Sequence, residues 1–353
     1  MNLSTEEYKQ YNRHLILDKI GEQGQLKLKK AKVLVIGAGG LGCPVLQYLS
    51  AAGVGNIGII DDDVVDQSNL QRQILYTIDD IGLSKAKVAA KRLSSLNPFI
   101  KFDVYQEKLT RENAIRLFKK YDIVVDGSDN FSTRYLANDA AVIANKPLVY
   151  GAIFKFEGQV SVFNYNKSAT YRCLYPTPPQ PDESPNCSEI GVLGVLPGII
   201  GSFQANETIK IICEIGIVLS NKLLLYNTLT MQQVTLNYQK NTKIDIQKLE
   251  ENYDVFCGIE LDIEEITLTS LKSNISDYNL LDVREDDERI NYHIGGQHIP
   301  LSDLKSRLEE VNVVKSLVVY CKSGIRSRKA IRILKEYFPS LKLINLKGGC
   351  FVK

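Results

Sequence analysis

No apolar run in this sequence approaches the roughly 18 residues needed to span a bilayer, which argues against a membrane protein. No two cysteines stand three apart, so there is no C-x-x-C pair for zinc or a dithiol redox site. Low-complexity tracts and internal repeats are missing too, which excludes fibrous, disordered and solenoid classes. Charge of one sign is not in excess: 43 Lys and Arg against 41 Asp and Glu leave a net +2. A dedicated nucleic-acid binder needs clustered cations to meet phosphates, so that class is disfavoured. Met1-Asn2-Leu3-Ser4-Thr5 lacks the basic and apolar regions of a signal peptide, and the expected compartment is the cytoplasm. Seven scattered cysteines in a reducing compartment are expected to act mostly as small buried hydrophobes.

What the chain does contain is enough for two domains: 353 residues, 44% apolar and 24% charged. Residues 5–30 read as polar helices carrying Arg13 and His14. Val33-Leu34-Val35-Ile36 is an apolar run typical of a buried parallel strand. Gly37-Ala38-Gly39-Gly40-Leu41-Gly42 follows, then a helical segment, then a second apolar run, Ile57 to Ile60, ending at Asp61. Strand–helix alternation continues through Ile123-Val124-Val125-Asp126 to Leu148-Val149-Tyr150. The expected class is α/β: a doubly wound, mostly parallel sheet with its ligand at the carboxyl ends of the strands. Residues 157–165 alternate like an antiparallel strand, and 223–236 like a hairpin. Between them, residues 166–190 hold five prolines and cannot form helix or central strand. A structureless stretch of that length is usually disordered or functional. Residues 239–262 are mixed and charged, as in a linker, and 263–353 form a second small α/β unit. The expected division is 1–238, 239–262 and 263–353.

The glycine turn offers backbone N–H groups and a helix N-terminus to phosphate, and Asp61 suits a ribose hydroxyl. Alone, that pattern favours a nicotinamide-dependent oxidoreductase. Against it stand Arg72, Lys85 and Asp129-Asn130. Hydride transfer leaves a pyrophosphate intact, whereas nucleotidyl transfer needs cations for a departing pyrophosphate and a carboxylate for Mg²⁺. Taken singly, each of these residues is ordinary; their combination on one sheet edge is the signal.

Five ordered blocks then become specific. They are the glycine turn, Asp61-Asp62-Asp63, Ser68-Asn69-Leu70-Gln71-Arg72-Gln73, Gly82-Leu83-Ser84-Lys85-Ala86 and Asp126-Gly127-Ser128-Asp129-Asn130. With Tyr11-Asn12-Arg13-His14 and Gly158-Gln159, they resemble the HesA/MoeB/ThiF family, over residues 5 to about 238. The resemblance implies ATP-dependent adenylation of the C-terminal Gly-Gly carboxylate of a ubiquitin-like sulfur-carrier protein. It implies a nucleotide site of Gly37, Gly39, Gly40, Gly42, Asp61, Ser68, Asn69, Leu70, Gln71, Arg72, Lys85, Asp129 and Asn130. Arg72 and Lys85 would hold the phosphates, Asp129 the Mg²⁺, and Asn69 would orient the triphosphate. The family's early arginine reaches the ATP of a partner subunit; carried onto Arg13, this implies a homodimer. Family members often hold a structural zinc on two C-x-x-C pairs. Here the first pair falls on Thr170 and Cys173 and no second pair follows, so no zinc is expected. Cys187, on the proline-rich stretch, matches a loop cysteine that in some members links covalently to the carrier.

Near the C-terminus, Cys321-Lys322-Ser323-Gly324-Ile325-Arg326 lies between an apolar strand and a helix. Such a loop turns its N–H groups on the cysteine and stabilises a thiolate or persulfide. Cys321 to Arg326 is C-x4-R, which resembles rhodaneses; the C-x5-R of cradle-loop phosphatases does not fit. Asp282-Val283-Arg284 and His298-Ile299-Pro300-Leu301 extend that resemblance over about 264–353. The expected protein is a fused adenylyltransferase and sulfurtransferase. Cys321, loaded by a cysteine desulfurase or another donor, attacks the carrier adenylate, and Cys187 is the candidate resolving thiol. The fused rhodanese-like unit and Gly42-Cys43-Pro44 lean toward a molybdopterin-type carrier, with a thiamine-thiazole carrier as the alternative. A docking module with an inert site is the remaining rival, and the intact Arg72, Lys85, Asp129 and Cys321 argue against it.

Overall fold

The computed structural model describes residues 2–179, 191–258 and 263–350. The chain divides into two compact units, Met1–Cys257 and Gly258–Lys353. In the first, among the described residues, the strands are β1 (Lys32–Ile36), β2 (Asn56–Ile60), β3 (Lys101–Tyr105), β4 (Ile123–Asp126), β5 (Leu148–Phe154), β6 (Glu157–Phe163), β7 (Lys222–Asn227) and β8 (Gln233–Asn237). They form one sheet in the order β3-β2-β1-β4-β5-β6-β7-β8. Strands β3 to β5 pair in parallel, and β6, β7 and β8 join antiparallel. The order reverses between β1 and β4, and a ligand crevice opens at such a switch point.

Each central strand is apolar on both faces because both faces are covered. Val33 and Val35 enter one core with Leu46, Leu49, Ala89 and Leu93. Leu34 and Ile36 enter the other with Leu117, Phe118, Tyr135 and Ala137. Side chains alternate across a strand, so a continuous apolar run is required here rather than an alternating one. Burying each such side chain contributes about 1.5–3 kcal/mol.

The turn after β1 depends on two glycines for different reasons. Gly37 has φ +82°, a left-handed conformation that costs any residue with a Cβ. Gly42 opens the helix Gly42–Ala52, and a Cβ there would stand 2.0 Å from the Gly37 carbonyl oxygen. The helix therefore starts hard against the turn, with its N-terminus at the sheet edge.

Residues 249–257, within the stretch read as a linker, pack onto this unit: Leu249, Tyr253 and Cys257 are buried in the core that contains Tyr135. Their anchor is a polar cluster. Arg172 donates to both oxygens of Asp139 (2.8 and 2.6 Å) and to Glu250 (3.0 Å), and the Tyr253 hydroxyl donates to Asp139 at 2.7 Å. The Phe256 ring lies 4.4 Å from the Arg172 guanidinium.

The second unit is a smaller sheet of parallel pairs, in the order β11-β10-β12-β13-β9 among the described residues. Its strands are β9 (Glu264–Ile266), β10 (Tyr278–Asp282), β11 (Gln297–His298), β12 (Ser316–Tyr320) and β13 (Leu343–Leu346). Helix Ile325–Tyr337 follows β12 after a turn at Gly324, whose φ is +90°.

Candidate functional site

In the first unit a cleft of about 670 Å³ lies at the carboxyl ends of the parallel strands. It gathers Gly37, Gly39, Gly40, Asp61, Ser68, Asn69, Gln71, Arg72, Lys85, Asp129 and Asn130, which the sequence scatters over the five blocks. Gly42 and Leu70 do not line it: Gly42 sits buried under the turn, and Leu70 packs against the core. Arg13 is exposed on the short helix Asn12–Leu15 and is not among the lining residues. Cys187 lies outside the described residues.

The glycine turn is fixed from below. Asp61 accepts the Ala38 N–H at 2.7 Å on one oxygen and the Asp63 N–H at 2.8 Å on the other. The Tyr76 hydroxyl donates to the Ala38 carbonyl at 2.7 Å. Burial pushes the Asp61 carboxyl above its usual range, although both N–H bonds act to lower it. Asp61 thus braces the turn besides presenting a carboxylate at the position expected for a ribose.

Lys85 is nearly buried, and its ammonium meets the exposed Asp63 carboxylate at 2.9 Å. Its backbone N–H bonds the Asp63 carbonyl at 3.1 Å, so one residue holds both ends of the lysine. Arg72 donates to the Ser68 carbonyl at 3.1 Å, one turn back along the segment. Within that segment the Ser68 hydroxyl and N–H both go to Asp66 (2.6 and 2.8 Å), and Asn69 Oδ1 accepts the Asp66 N–H at 3.3 Å. These contacts shape the loop that carries Arg72.

Across the switch point, Asn130 caps the helix Phe131–Ile143 by accepting the Thr133 N–H at 2.9 Å, which leaves its neighbour Asp129 exposed on the rim. An exposed single carboxylate suits Mg²⁺, which keeps several waters and takes its other oxygens from phosphates. Among the described residues no group of three or more His, Cys, Asp or Glu could hold a metal without such help.

Several residues in or beneath the cleft were given no role of their own by the sequence. Asp126 is fully buried below the cleft; one oxygen accepts from the Ser128 N–H and hydroxyl (2.9 and 2.6 Å), while the other has no hydrogen-bond partner among the described residues. Burial pushes this carboxyl up, and the nearby Arg134 partly offsets that. Arg134, itself buried, donates to the Ser128 carbonyl at 3.3 Å and faces the rings of Phe131 and Tyr150. Its only sequence signal was its place in the turn after the Asn130 cap, where side chains point back toward the helix start. Lys108 and Lys155 complete the wall, and nothing in the local pattern marked either.

At the position of the family's first zinc pair, Thr170 and Cys173 bond one another at 3.4 Å. Arg172 between them is the hub of the Asp139 cluster described above. These donors do not suit zinc, and the residues there make an ion-pair cluster instead.

In the second unit Cys321 sits fully buried just past β12. Its sulfur accepts the Gly324 N–H at 3.1 Å and lies 3.5 Å from the Ser327 hydroxyl. Burial pushes the thiol up, but the hydroxyl and N–H of Ser327 and the N–H groups of Ser323 and Gly324 outweigh it, and the pKa falls below the ordinary thiol value. The flanking cations do less than their sequence positions suggest. Lys322 is exposed. Arg326 is engaged by both Glu288 oxygens, at 2.5 and 2.7 Å. Asp282 and Arg284 form a buried bidentate pair (2.9 and 2.6 Å), and His298 bonds the Arg284 carbonyl at 2.8 Å. Those landmarks hold one another and the segment after β10, where Arg284 also donates to the Glu288 and Tyr292 carbonyls.

Comparison with known proteins agrees with both units. The ThiF family model matches residues 11–246 and the rhodanese-like domain model residues 267–351. The chain is 43% identical over 366 residues to a probable adenylyltransferase/sulfurtransferase MoeZ of Mycobacterium tuberculosis, covering 98% of this chain and 93% of that protein. It is 48% identical over 270 residues to a sulfur carrier protein adenylyltransferase of Thermus thermophilus, covering 73% of this chain and all of the relative. The crystal structure of E. coli MccB with MccA-N7isoASN superposes with a TM-score of 0.62 at 23% identity, over 70% of this chain and 75% of that one, a likeness of fold.

Proposed function

The chain belongs to the ThiF family and carries a rhodanese-like domain, and from that premise we propose that it is a fused adenylyltransferase and sulfurtransferase acting on a ubiquitin-like sulfur-carrier protein. The observation that carries the first half is the convergence of the glycine turn, Arg72, Lys85 and Asp129 on one cleft. A C-terminal carboxylate is already ionised at neutral pH, so the reaction needs positioning and charge neutralisation rather than a general base. The carrier's Gly-Gly carboxylate oxygen bonds the α-phosphorus of ATP, and the bond to pyrophosphate breaks. Arg72 and Lys85 hold the phosphates as charge builds on the leaving group. Mg²⁺, held by Asp129, would neutralise phosphate oxygens. Gly37, Gly39 and Gly40 let the backbone approach, and Asp61 meets the ribose.

Cys321, whose sulfur accepts the Gly324 N–H and lies beside the Ser327 hydroxyl, carries the second half. Its persulfide, supplied by a cysteine desulfurase, bonds the acyl carbon of the carrier adenylate and AMP leaves. The thiol of Cys187 then bonds the Cys321 sulfur, and the carrier departs as a thiocarboxylate. The remaining Cys321–Cys187 disulfide is reduced by cellular thiols. A carrier of the molybdopterin-synthase small-subunit type is the first candidate, and the thiamine-thiazole type the second. We place Arg13 at the cleft of the partner subunit in a homodimer.

ATP–pyrophosphate exchange tests this directly, with each candidate carrier purified with its Gly-Gly end intact. Exchange that depends on one carrier and disappears when its last glycine is removed supports the assignment. Exchange with none of them overturns it.

A further inference from the structure

The Cys321 loop carries a cation whose charge is already committed. Both terminal nitrogens of Arg326 donate to Glu288, at 2.5 and 2.7 Å, with the two side chains 30% and 25% exposed. A planar guanidinium and a carboxylate meeting through two parallel bonds make the strongest pairing available to either. Glu288 is not free to follow Arg326 elsewhere. Its carbonyl accepts from Arg284 at 3.3 Å, and Arg284 is locked in the buried pair with Asp282. Its carboxylate also accepts the Glu285 N–H at 3.3 Å. Through Arg326 the Glu288 carboxyl is held down to about 2, so it stays charged throughout the physiological range. Cys321 needs no cation for its own thiolate, which the Gly324 N–H and Ser327 already hold.

We infer that Glu288 is a specificity-determining residue of the Cys321 site: by occupying Arg326 it denies small anionic sulfur donors the guanidinium that the loop carries, and so favours sulfur delivered as a protein-borne persulfide. This rests on the sulfurtransferase assignment above. A dianion such as thiosulfate must either displace Glu288 from Arg326, losing two charge-assisted bonds, or approach with the carboxylate beside it. Glu285 lies within electrostatic reach of Arg326 and adds to that barrier. A persulfide presented on a partner's surface brings its own docking contacts and does not need the arginine. The chemistry with thiosulfate balances simply. The Cys321 thiolate bonds the outer sulfur, the sulfur–sulfur bond of thiosulfate breaks, and its electron pair leaves with sulfite. Cyanide then takes the outer sulfur as thiocyanate and restores the thiolate.

The test is thiosulfate:cyanide sulfurtransfer by the full-length chain, comparing Glu288→Gln with wild type. Release of Arg326 is expected to lower the KM for thiosulfate on the order of tenfold, the worth of one charge-assisted hydrogen bond. The double variant E288Q/R326M is expected to lose that gain. Glu288→Asp keeps the charge but shortens its reach, and its KM is expected to fall between the two; if E288Q does not fold, this variant decides by the sign of its change. An unchanged or higher KM in E288Q, or a gain that survives in E288Q/R326M, overturns the inference. Mass spectrometry of wild type after incubation with a desulfurase and cysteine separates the two levels. No added sulfur on Cys321 overturns the sulfurtransferase assignment and the inference together; a loaded Cys321 with an insensitive KM overturns the inference alone.

Discussion

Asp63 holds Lys85 at two points, carboxylate to ammonium at 2.9 Å and carbonyl to backbone N–H at 3.1 Å. The lysine is nearly buried while its carboxylate partner is mostly exposed. An exposed partner is easily exchanged for a phosphate, so in the proposed reaction the pair would keep Lys85 aimed into the cleft until ATP arrives. Lys85→Met is expected to lower the ATP–pyrophosphate exchange rate by about 10²–10³, the usual effect of losing one preorganised charge-stabilising group. Asp63→Ala should cost only about tenfold, because the backbone contact persists. Equal losses in the two variants would show that Asp63 acts directly rather than by aiming Lys85.

Gly42→Ala places a methyl group 2.0 Å from the Gly37 carbonyl oxygen. Backbone cannot yield there without moving the turn, so ATP-dependent exchange is expected to fall below detection. Thiosulfate sulfurtransfer should be untouched, since Cys321 belongs to the other compact unit. Loss of both activities would mean that the two units do not fold independently.

If Arg13 serves the partner subunit's cleft, inactive variants should complement. Mixed dimers of Arg13→Ala and Lys85→Met contain one site with both defects and one with neither. Refolding the two variants together is expected to restore about a quarter of wild-type exchange, as statistical mixing of subunits in a cyclic dimer dictates. A mixture as inactive as its components would put Arg13 in its own subunit's site, and a fully active Arg13→Ala would put it outside the site altogether.

Ser327 and the loop N–H groups hold the Cys321 thiol below its ordinary value, so its alkylation by iodoacetamide should show a midpoint below that of an exposed cysteine measured alongside it. Ser327→Ala is expected to raise the midpoint. The linkage sign follows: a depressed acid contributes stability above its unfolded pKa, and that stability is lost as pH falls through the folded value. The second unit should therefore gain stability from this group as pH rises through the folded value, with the full gain present above the pKa of a free thiol. A wild-type midpoint at or above that of a free thiol would contradict this account.

Arg172, between the residues that stand at the family's first zinc pair, is held by Asp139, which also accepts from Tyr253, and none of these contacts depends on a metal. Chelation with EDTA is expected to leave the melting temperature unchanged. Asp139→Asn removes the charge opposite a largely buried guanidinium and should destabilise the first unit by about 3–5 kcal/mol, read by urea unfolding. A melting temperature that falls with EDTA would show a metal that this donor set does not suggest.

Much of the molecule was legible before folding. The apolar runs of β1, β2 and β4 announce strands buried on both faces, because their periodicity is local. The glycine turn and the C-x4-R loop are legible for the same reason: each is a continuous segment whose backbone geometry its own residues dictate. Spacing alone could also order Arg72, Lys85 and Asp129 along one sheet edge, since parallel strands joined by helices return their carboxyl ends to the same side. Pairwise partnerships were not legible. That Asp63 takes Lys85, that Glu288 takes Arg326 across 38 positions, and that Arg172 draws residues 249–257 out of an apparent linker depend on which side chains the tertiary structure sets face to face. Charge and hydrogen bonding act through space at a few ångströms, and residue type carries no record of that distance. The sequence by itself therefore determined which chemistry is present, while only the folded structure decided which charges remain available to perform it.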